Sequence, residues 1–274
     1  NVGGRPVVLN SGTGTYRAAG RRWPVGCPAW RHYFAGPRSH NAVFVGVDPF
    51  GPMTGDFRNR DVPCRVRLRR RSFGPGIGFL EFEVVATNAA DGLRRCVVHA
   101  EGVGWLVEDG WRAGPDGAAS FGLQFAPGAD VAIPTDGKVV ASLEGVACRI
   151  DLEPAWLEPA VLSGSLNPLG GWVALRYGDW VAAPQMRAVA AAGRAGAASL
   201  LRVGHDTAGD DLEWHRDASG VAVRWHEGGE TVVIALATGG RRVQREPRGL
   251  VDVEGAVACR FVVGQRVELR RSWS

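Results

Sequence analysis

Hydrophobic residues recur at every second position through most of this chain, a spacing that suits pleated strands and argues against a fold built on amphipathic helices. Runs rich in β-branched and apolar residues fall at 42–47, 65–69, 79–85, 95–99, 105–107, 139–143, 172–176, 221–225, 231–236, 256–263 and 266–269. Turn formers separate them, among them Gly74-Pro75-Gly76, Asp91-Gly92, Gly114-Pro115-Asp116-Gly117, Pro127-Gly128, Asp136-Gly137, Gly228-Gly229 and Gly239-Gly240. Strands about 8–12 residues apart with such turns between them predict stacked antiparallel sheets. The expected class is all-β: a large antiparallel, supersandwich-like β-sandwich with few or no helices.

A chain of 274 residues, 45% of them hydrophobic, is long enough to bury a substantial core without disulfides or metals. The alanine-rich stretch 188–198 is broken by Gly193 and Gly196 and shows no apolar stripe, so it reads as a linker or a frayed turn. It divides the chain into a main sandwich over 1–187 and a smaller all-β portion over 199–274, unless 1–274 forms one continuous unit. The five cysteines lack CxxC spacing and read as mostly buried thiols. A net charge of +4 is too small for a nucleic-acid footprint. No apolar run approaches the about 20 residues of a membrane-spanning helix. The opening Asn1-Val2-Gly3-Gly4, with neither initiator methionine nor signal peptide, suggests an excised or processed segment.

Two segments carry unusual side chains. In Cys64-Arg65-Val66-Arg67-Leu68-Arg69-Arg70-Arg71, alternation predicts Arg65, Arg67, Arg69 and Arg71 on one face, with Val66 and Leu68 on the other. Such a strip could track a sulfated or uronic-acid polymer; it equally describes a solvated sheet face covered by arginine stems. Trp214-His215 and Trp225-His226 flank a turn at 217–220 and are expected to pack across a hairpin, since two histidines alone rarely hold a metal.

The densest collection of ligand-binding side chains lies in the first fifth. Leu9-Asn10-Ser11-Gly12-Thr13-Gly14-Thr15-Tyr16 leads to Trp30-Arg31-His32-Tyr33-Phe34, and then to Arg38-Ser39-His40-Asn41-Ala42-Val43. This order resembles the heparinase II/III-like polysaccharide lyases at the start of their C-terminal β-sandwich. The pattern there runs through Asp-Pro-Gly-Thr-x-x-Tyr, an aromatic and arginine-bearing loop, and Arg-Ser-Thr-x-x-His-Asn-Thr-Val. Val97-Val98-His99 before Trp105-Leu106-Val107-Glu108-Asp109, and Gly171-Trp172-Val173 with Tyr177-Gly178, resemble later elements of the same sandwich.

The resemblance implies cleavage of uronic-acid-containing chains by β-elimination. The C5 proton is weakly acidic, so the neighbouring carboxylate must be neutralised before a base removes that proton and an acid protonates the departing O4. In the family a tyrosine and a histidine do most of this, largely from an N-terminal helical toroid that this chain lacks. Tyr16, His40 and Asn41 become the cleft candidates, and Tyr16, Arg31, Tyr33 and Arg38 the candidate substrate-binding residues. Arginine suits carboxylate or sulfate, and tyrosine can stack on a sugar ring. The bland alternative makes Trp30 and Tyr33 core aromatics and the arginines surface pairs.

The family also implies a structural zinc, held by an upstream histidine, an aspartate and the histidine of the His-Asn pair. His40 matches the last of these. Asn10 stands at the aspartate position, and a neutral amide is a poor zinc ligand; without metal, His40 and Asn41 are expected to organise the loop through hydrogen bonds. The resulting expectation is part of a lyase acting on an acidic polysaccharide, inactive without its toroid, in a periplasmic or secreted setting. A non-catalytic carbohydrate-binding or scaffold module with a decayed metal site is the alternative. A heparin- or nucleic-acid-binding surface on the arginine strip is a third reading, disfavoured by the modest charge.

Overall fold

The computed structural model describes residues 4, 6–12, 14, 28–45, 64–86, 92–112, 119–135, 137–176, 178–204, 212–217, 220–227, 230–237, 242–243, 253–254, 256–262 and 268–272. Three antiparallel sheets dominate. A front sheet orders its strands Val43–Val45, Ala119–Gln124, Gln185–Ala190 and Trp156–Leu162. An eight-stranded central sheet runs Cys64–Gly74, Ile77–Ala86, Leu93–Ala100, Gly104–Trp111, Gly196–Val203, Val146–Leu152, Lys138–Leu143 and Asp130–Thr135. A rear sheet follows as Glu213–Arg216, Gly220–Glu227, Glu230–Ala237, Ala256–Val262 and Glu268–Ser272. The all-β sandwich expected from the alternating pattern is what the chain forms.

Two cores lie on opposite faces of the central sheet. The front core joins Phe121, Leu123 and Met186 to Val139, Ile150 and Ala197. The rear core joins Phe79, Val98, Leu106 and Leu200 to Val223, Trp225 and Ile234. Strand Gly196–Val203 contributes to both, sending Ala197 forward and Ala198 and Leu200 backward. A strand covered on both sides reads as a continuous apolar run instead of an alternating one.

That explains where the linker reading of 188–198 fails. Residues 188–190 finish a front-sheet strand, a turn follows, and 196–198 begin the central-sheet strand. Alanine side chains suit positions pressed between layers, and Gly193, at φ +74°, supplies the turn. Residues 199–203 belong to the same central strand, so the rear sheet begins beyond them.

Buried ion pairs lie within the central sheet and between it and the rear sheet. Asp151 accepts from Arg149 Nε at 2.8 Å and from Arg202 Nη2 at 3.1 Å, and Arg202 lies 5.0 Å from the Trp225 ring centre. From the rear sheet, Arg216 donates twice to Glu153 at 2.8 Å and once to Glu108 at 3.2 Å. Removing one member of such a buried set costs about 3–5 kcal/mol, because its partner is left charged and dry.

The arginine strip is not a single face. A bulge between Leu68 and Arg70 shifts the register, so Arg70 pairs with Glu81 and Arg71 with Leu80. Arg71 therefore changes sides and joins Val66 and Leu68. Arg69 and Arg70 are ion-paired with Glu83 and Glu81. The hairpin expected around 217–220 does form, pairing Glu213–Arg216 with Gly220–Glu227, and Trp214 packs on the rear core that holds Trp225. The two Trp-His pairs are not directly opposite: Trp214 faces Val223 and His215 faces Ala222, while His226 bonds to Thr231 in the next strand.

Candidate functional site

The aromatic segment expected as a loop is a helix. Pro28–Ala35 places Trp30, Tyr33 and Phe34 at i, i+3 and i+4, which puts all three on one side. Proline suits the first helical position, and Gly36-Pro37 ends the run before a 3-10 turn at Pro37–Ser39. The helix packs on a hairpin, Trp172–Arg176 with Asp179–Ala182. Trp30 meets Trp172 edge-on at 5.1 Å and stacks on Trp180 at 5.7 Å.

The glycine-rich turn is clamped against this cluster. Gly12 and Gly14 both have positive φ. A Cβ at Gly12 would lie 2.6 Å from the Ala174 carbonyl oxygen, and one at Gly14 would lie 2.4 Å from the Phe34 ring. Only glycine satisfies both the backbone and the space. Ser11 accepts from the Ala174 N–H at 2.7 Å, and Gly14 from the Gly178 N–H at 2.9 Å.

His40 joins the turn to the helix. Its Nε2 donates to the Phe34 carbonyl at 3.1 Å, satisfying an acceptor in the helix's last turn. Nδ1 then accepts from the Ser11 hydroxyl at 3.5 Å and lies 3.2 Å from Asn10 Oδ1. That oxygen already accepts the Gly12 N–H at 2.9 Å. Burial holds the imidazole below its ordinary pKa, which favours the neutral ring.

Asn41 is consumed by backbone. Its amide donates to Leu9 O at 3.1 Å and accepts from Gln124 N at 2.7 Å, while its own carbonyl takes Arg95 Nη1 at 2.6 Å. It thus bridges two chain segments that a β-ladder alone would leave short of partners. Arg95 is in turn forked onto Asp109 at 2.6 and 2.9 Å. The strand pair noted in the sequence, 97–99 beside 105–109, is the antiparallel pair that carries this fork.

The family model for heparinase II/III-like, C-terminal, matches residues 1–178, about two thirds of the chain. The chain belongs to this family. Among solved structures it is similar to the heparan sulfate lyase HepC from Pedobacter heparinus, with TM-score 0.62 and 13% identity over 85% of this chain. Heparinase III, the BT4657 gene product, gives 0.61 and 13% over 84%, and another heparinase III gives 0.60 and 15% over 85%. At such identities the likeness is one of fold. The chain spans only 34–35% of the length of those structures. No curated protein sequence matches it significantly.

Within this heparinase-like sandwich the sequence-predicted residues divide. Asn10, His40 and Asn41 converge. Tyr33 does not present itself as a sugar platform: it is 4% exposed, and its hydroxyl is held between the Trp172 N–H at 3.1 Å and the Trp172 carbonyl at 3.3 Å. Burial pushes its phenol pKa up. Arg38 is exposed, with its guanidinium 5.6 Å from the Phe44 ring centre. Arg31 lies in the helix, but its side chain is outside the described residues, as is all of Tyr16.

The family's zinc does not fit what is present. Nε2 of His40 carries its proton toward a carbonyl, Nδ1 is hemmed in by Ser11 and Asn10, and the second candidate ligand is a neutral amide. Among the described residues no three His, Cys, Asp or Glu side chains group as a metal site.

The sequence reading missed Gln185 and Gln124. Both are fully buried. Gln185 accepts the Gly171 N–H at 3.2 Å and donates to Arg38 O at 2.7 Å; Gln124 donates to Pro184 O at 2.8 Å. A glutamine facing inward from a strand that otherwise reads apolar was the available signal.

Proposed function

We propose that this chain is the β-sandwich part of a polysaccharide lyase that cleaves an acidic, uronic-acid-containing glycan by β-elimination. The observation that carries the reading is the family match over residues 1–178, which contains the turn, the helix and the His40-Asn41 segment. The exposed Arg38 beside that segment supplies a cation of the kind a uronate carboxylate requires. The groups that move protons come from elsewhere in the longer protein. Among the described residues of the site, Tyr33 and His40 have their polar atoms committed to structure, and so does Asn41. Acidic glycans are met outside the cytoplasm, so a periplasmic or secreted setting belongs to the same proposal.

The test compares this chain alone with the longer protein that includes a helical toroid, on sulfated and unsulfated uronate polymers. Absorbance from the unsaturated product sugar should rise with the longer protein and stay flat with the isolated chain. Robust turnover by the isolated chain would move the catalytic groups into it. Asn10, a neutral residue at a metal-ligand position, favours a second reading: a non-catalytic carbohydrate-binding or scaffold module. Glycan binding by the longer protein without any elimination product would select that reading.

A further inference from the structure

Arginines that are buried or half-buried in this protein sit beside carboxylates, with one exception among the described residues. Arg70, Arg94, Arg95, Arg149, Arg202 and Arg216 each lie within 4 Å of an aspartate or glutamate oxygen. Arg187, half-buried in the front sheet, has only neutral acceptors. Its Nε donates to Gln185 Oε1 at 3.2 Å, and its Nη2 to Leu169 O at 2.8 Å and to Arg38 O at 3.4 Å. Nη1 has no bond to any described residue. Taking a cation out of water without a counter-charge is costly.

The position is built with care for this side chain. A Cβ at Gly170 would come within 2.6 Å of Leu162 Cδ1 and 2.8 Å of Arg187 Nη2, so glycine there leaves room for both the leucine and the guanidinium. Gln185, itself fully buried, holds Nε and also ties down the Arg38 backbone. The guanidinium is thereby locked in place before any ligand arrives. Arg38 adds a second positive charge at the same rim; burial chiefly holds the Arg187 pKa below its ordinary value, with the Tyr33 phenol opposing and Arg38 adding to the shift.

We infer that Arg187, with Arg38 beside it, is a specificity residue that binds an anionic oxygen group of the glycan, a uronate carboxylate or a sulfate ester. An oxyanion received by Nη1 would supply the missing counter-charge through a charge-assisted hydrogen bond. The inference rests on the acidic-glycan reading above and names a subsite within it. Two cations around one prearranged fork select for charge; a neutral sugar leaves the cost of burial uncompensated.

The test measures binding by this chain of three oligosaccharides: an unsulfated uronate oligomer, a sulfated oligomer without uronate, and a neutral oligomer. Wild-type protein should bind one or both acidic probes, melt at higher temperature in their presence, and ignore the neutral one. Arg187→Gln should weaken acidic binding about tenfold, the loss of one charged contact. Arg187→Lys should recover part of it. Which acidic probe binds tells carboxylate from sulfate. Equal binding of neutral and acidic probes, or an unchanged affinity in a folded Arg187→Gln protein, would overturn the assignment. Should that variant fail to fold, the wild-type thermal shifts decide alone: no shift with either acidic probe overturns it. Elimination by the longer protein is scored separately. A lyase whose affinity ignores Arg187 would refute the subsite and leave the lyase reading standing.

Discussion

The imidazole Nε2 of His40 lies 3.1 Å from the carbonyl oxygen of Phe34, six residues back in the chain. The contact makes the histidine a cap for the last turn of the Pro28–Ala35 helix, and so for the aromatic cluster that the helix carries.

Replacing His40 by alanine should therefore destabilise the protein by about 0.5–1.5 kcal/mol, the worth of one ordinary hydrogen bond. Thermal melts in the presence and absence of a chelator check the cause. A melting temperature that a chelator does not change, in wild type and variant alike, marks a metal-free cap. Elemental analysis should find well under one zinc per chain, and Asn10→Asp should raise it only when an upstream histidine strand is supplied. A stoichiometric zinc lost with His40 would reverse this account.

Tyr33→Phe removes a hydroxyl that serves the Trp172 N–H as acceptor and the Trp172 carbonyl as donor. Leaving two half-buried backbone groups without that partner should cost about 1–3 kcal/mol in urea unfolding. Affinity for acidic oligosaccharides should not change, because the ring is 4% exposed. A Tyr33→Phe protein of normal stability with impaired glycan binding would restore Tyr33 as a substrate contact.

Glu108 sets a pH dependence. Its carboxyl is pushed above its ordinary 4.5, chiefly by burial, with Arg94 and Arg216 opposing. A raised folded pKa means that its contribution to stability is fully present below the unfolded value. The contribution is lost as pH rises through the folded one. The stability of wild type minus that of Glu108→Gln should thus fall as pH climbs from 4 toward neutrality. A difference that grows instead would mean that the two arginines outweigh desolvation.

Leu200 is fully buried in the rear core, on the strand Gly196–Val203 that runs across the boundary at 198–199 expected from the sequence. Leu200→Ala should cost about 2–5 kcal/mol, the range for emptying such a site. One unfolding transition reported equally by the fluorescence of the ten tryptophans and by far-ultraviolet circular dichroism would show that rear and central sheets unfold together. Two separated transitions would restore a seam near 199.

Much of the strand layout was legible from alternation and turn formers, because a strand covered on one face must alternate. The exceptions have identifiable physical causes. The strand Gly196–Val203 is covered on both faces, so its alanines and leucines carry no period. The bulge at Arg69 depends on the pairing with Ile77–Ala86, and no feature within 64–71 announces it. The helix was hidden by its eight-residue length, too short to establish a 3.6-residue period.

By itself, the sequence determined the all-β class, the family and the cluster of residues around Asn10 and His40, since these rest on order along the chain. Tertiary structure alone decided which of those side chains remain available. Tyr33 and Asn41 are spent on the backbone of Trp172, Leu9 and Gln124, residues that lie 32 to 139 positions away. Arg187 comes beside Arg38 across 149 positions. Hydrogen bonds and charges act through space, so a polar group's partners are settled only when distant segments meet.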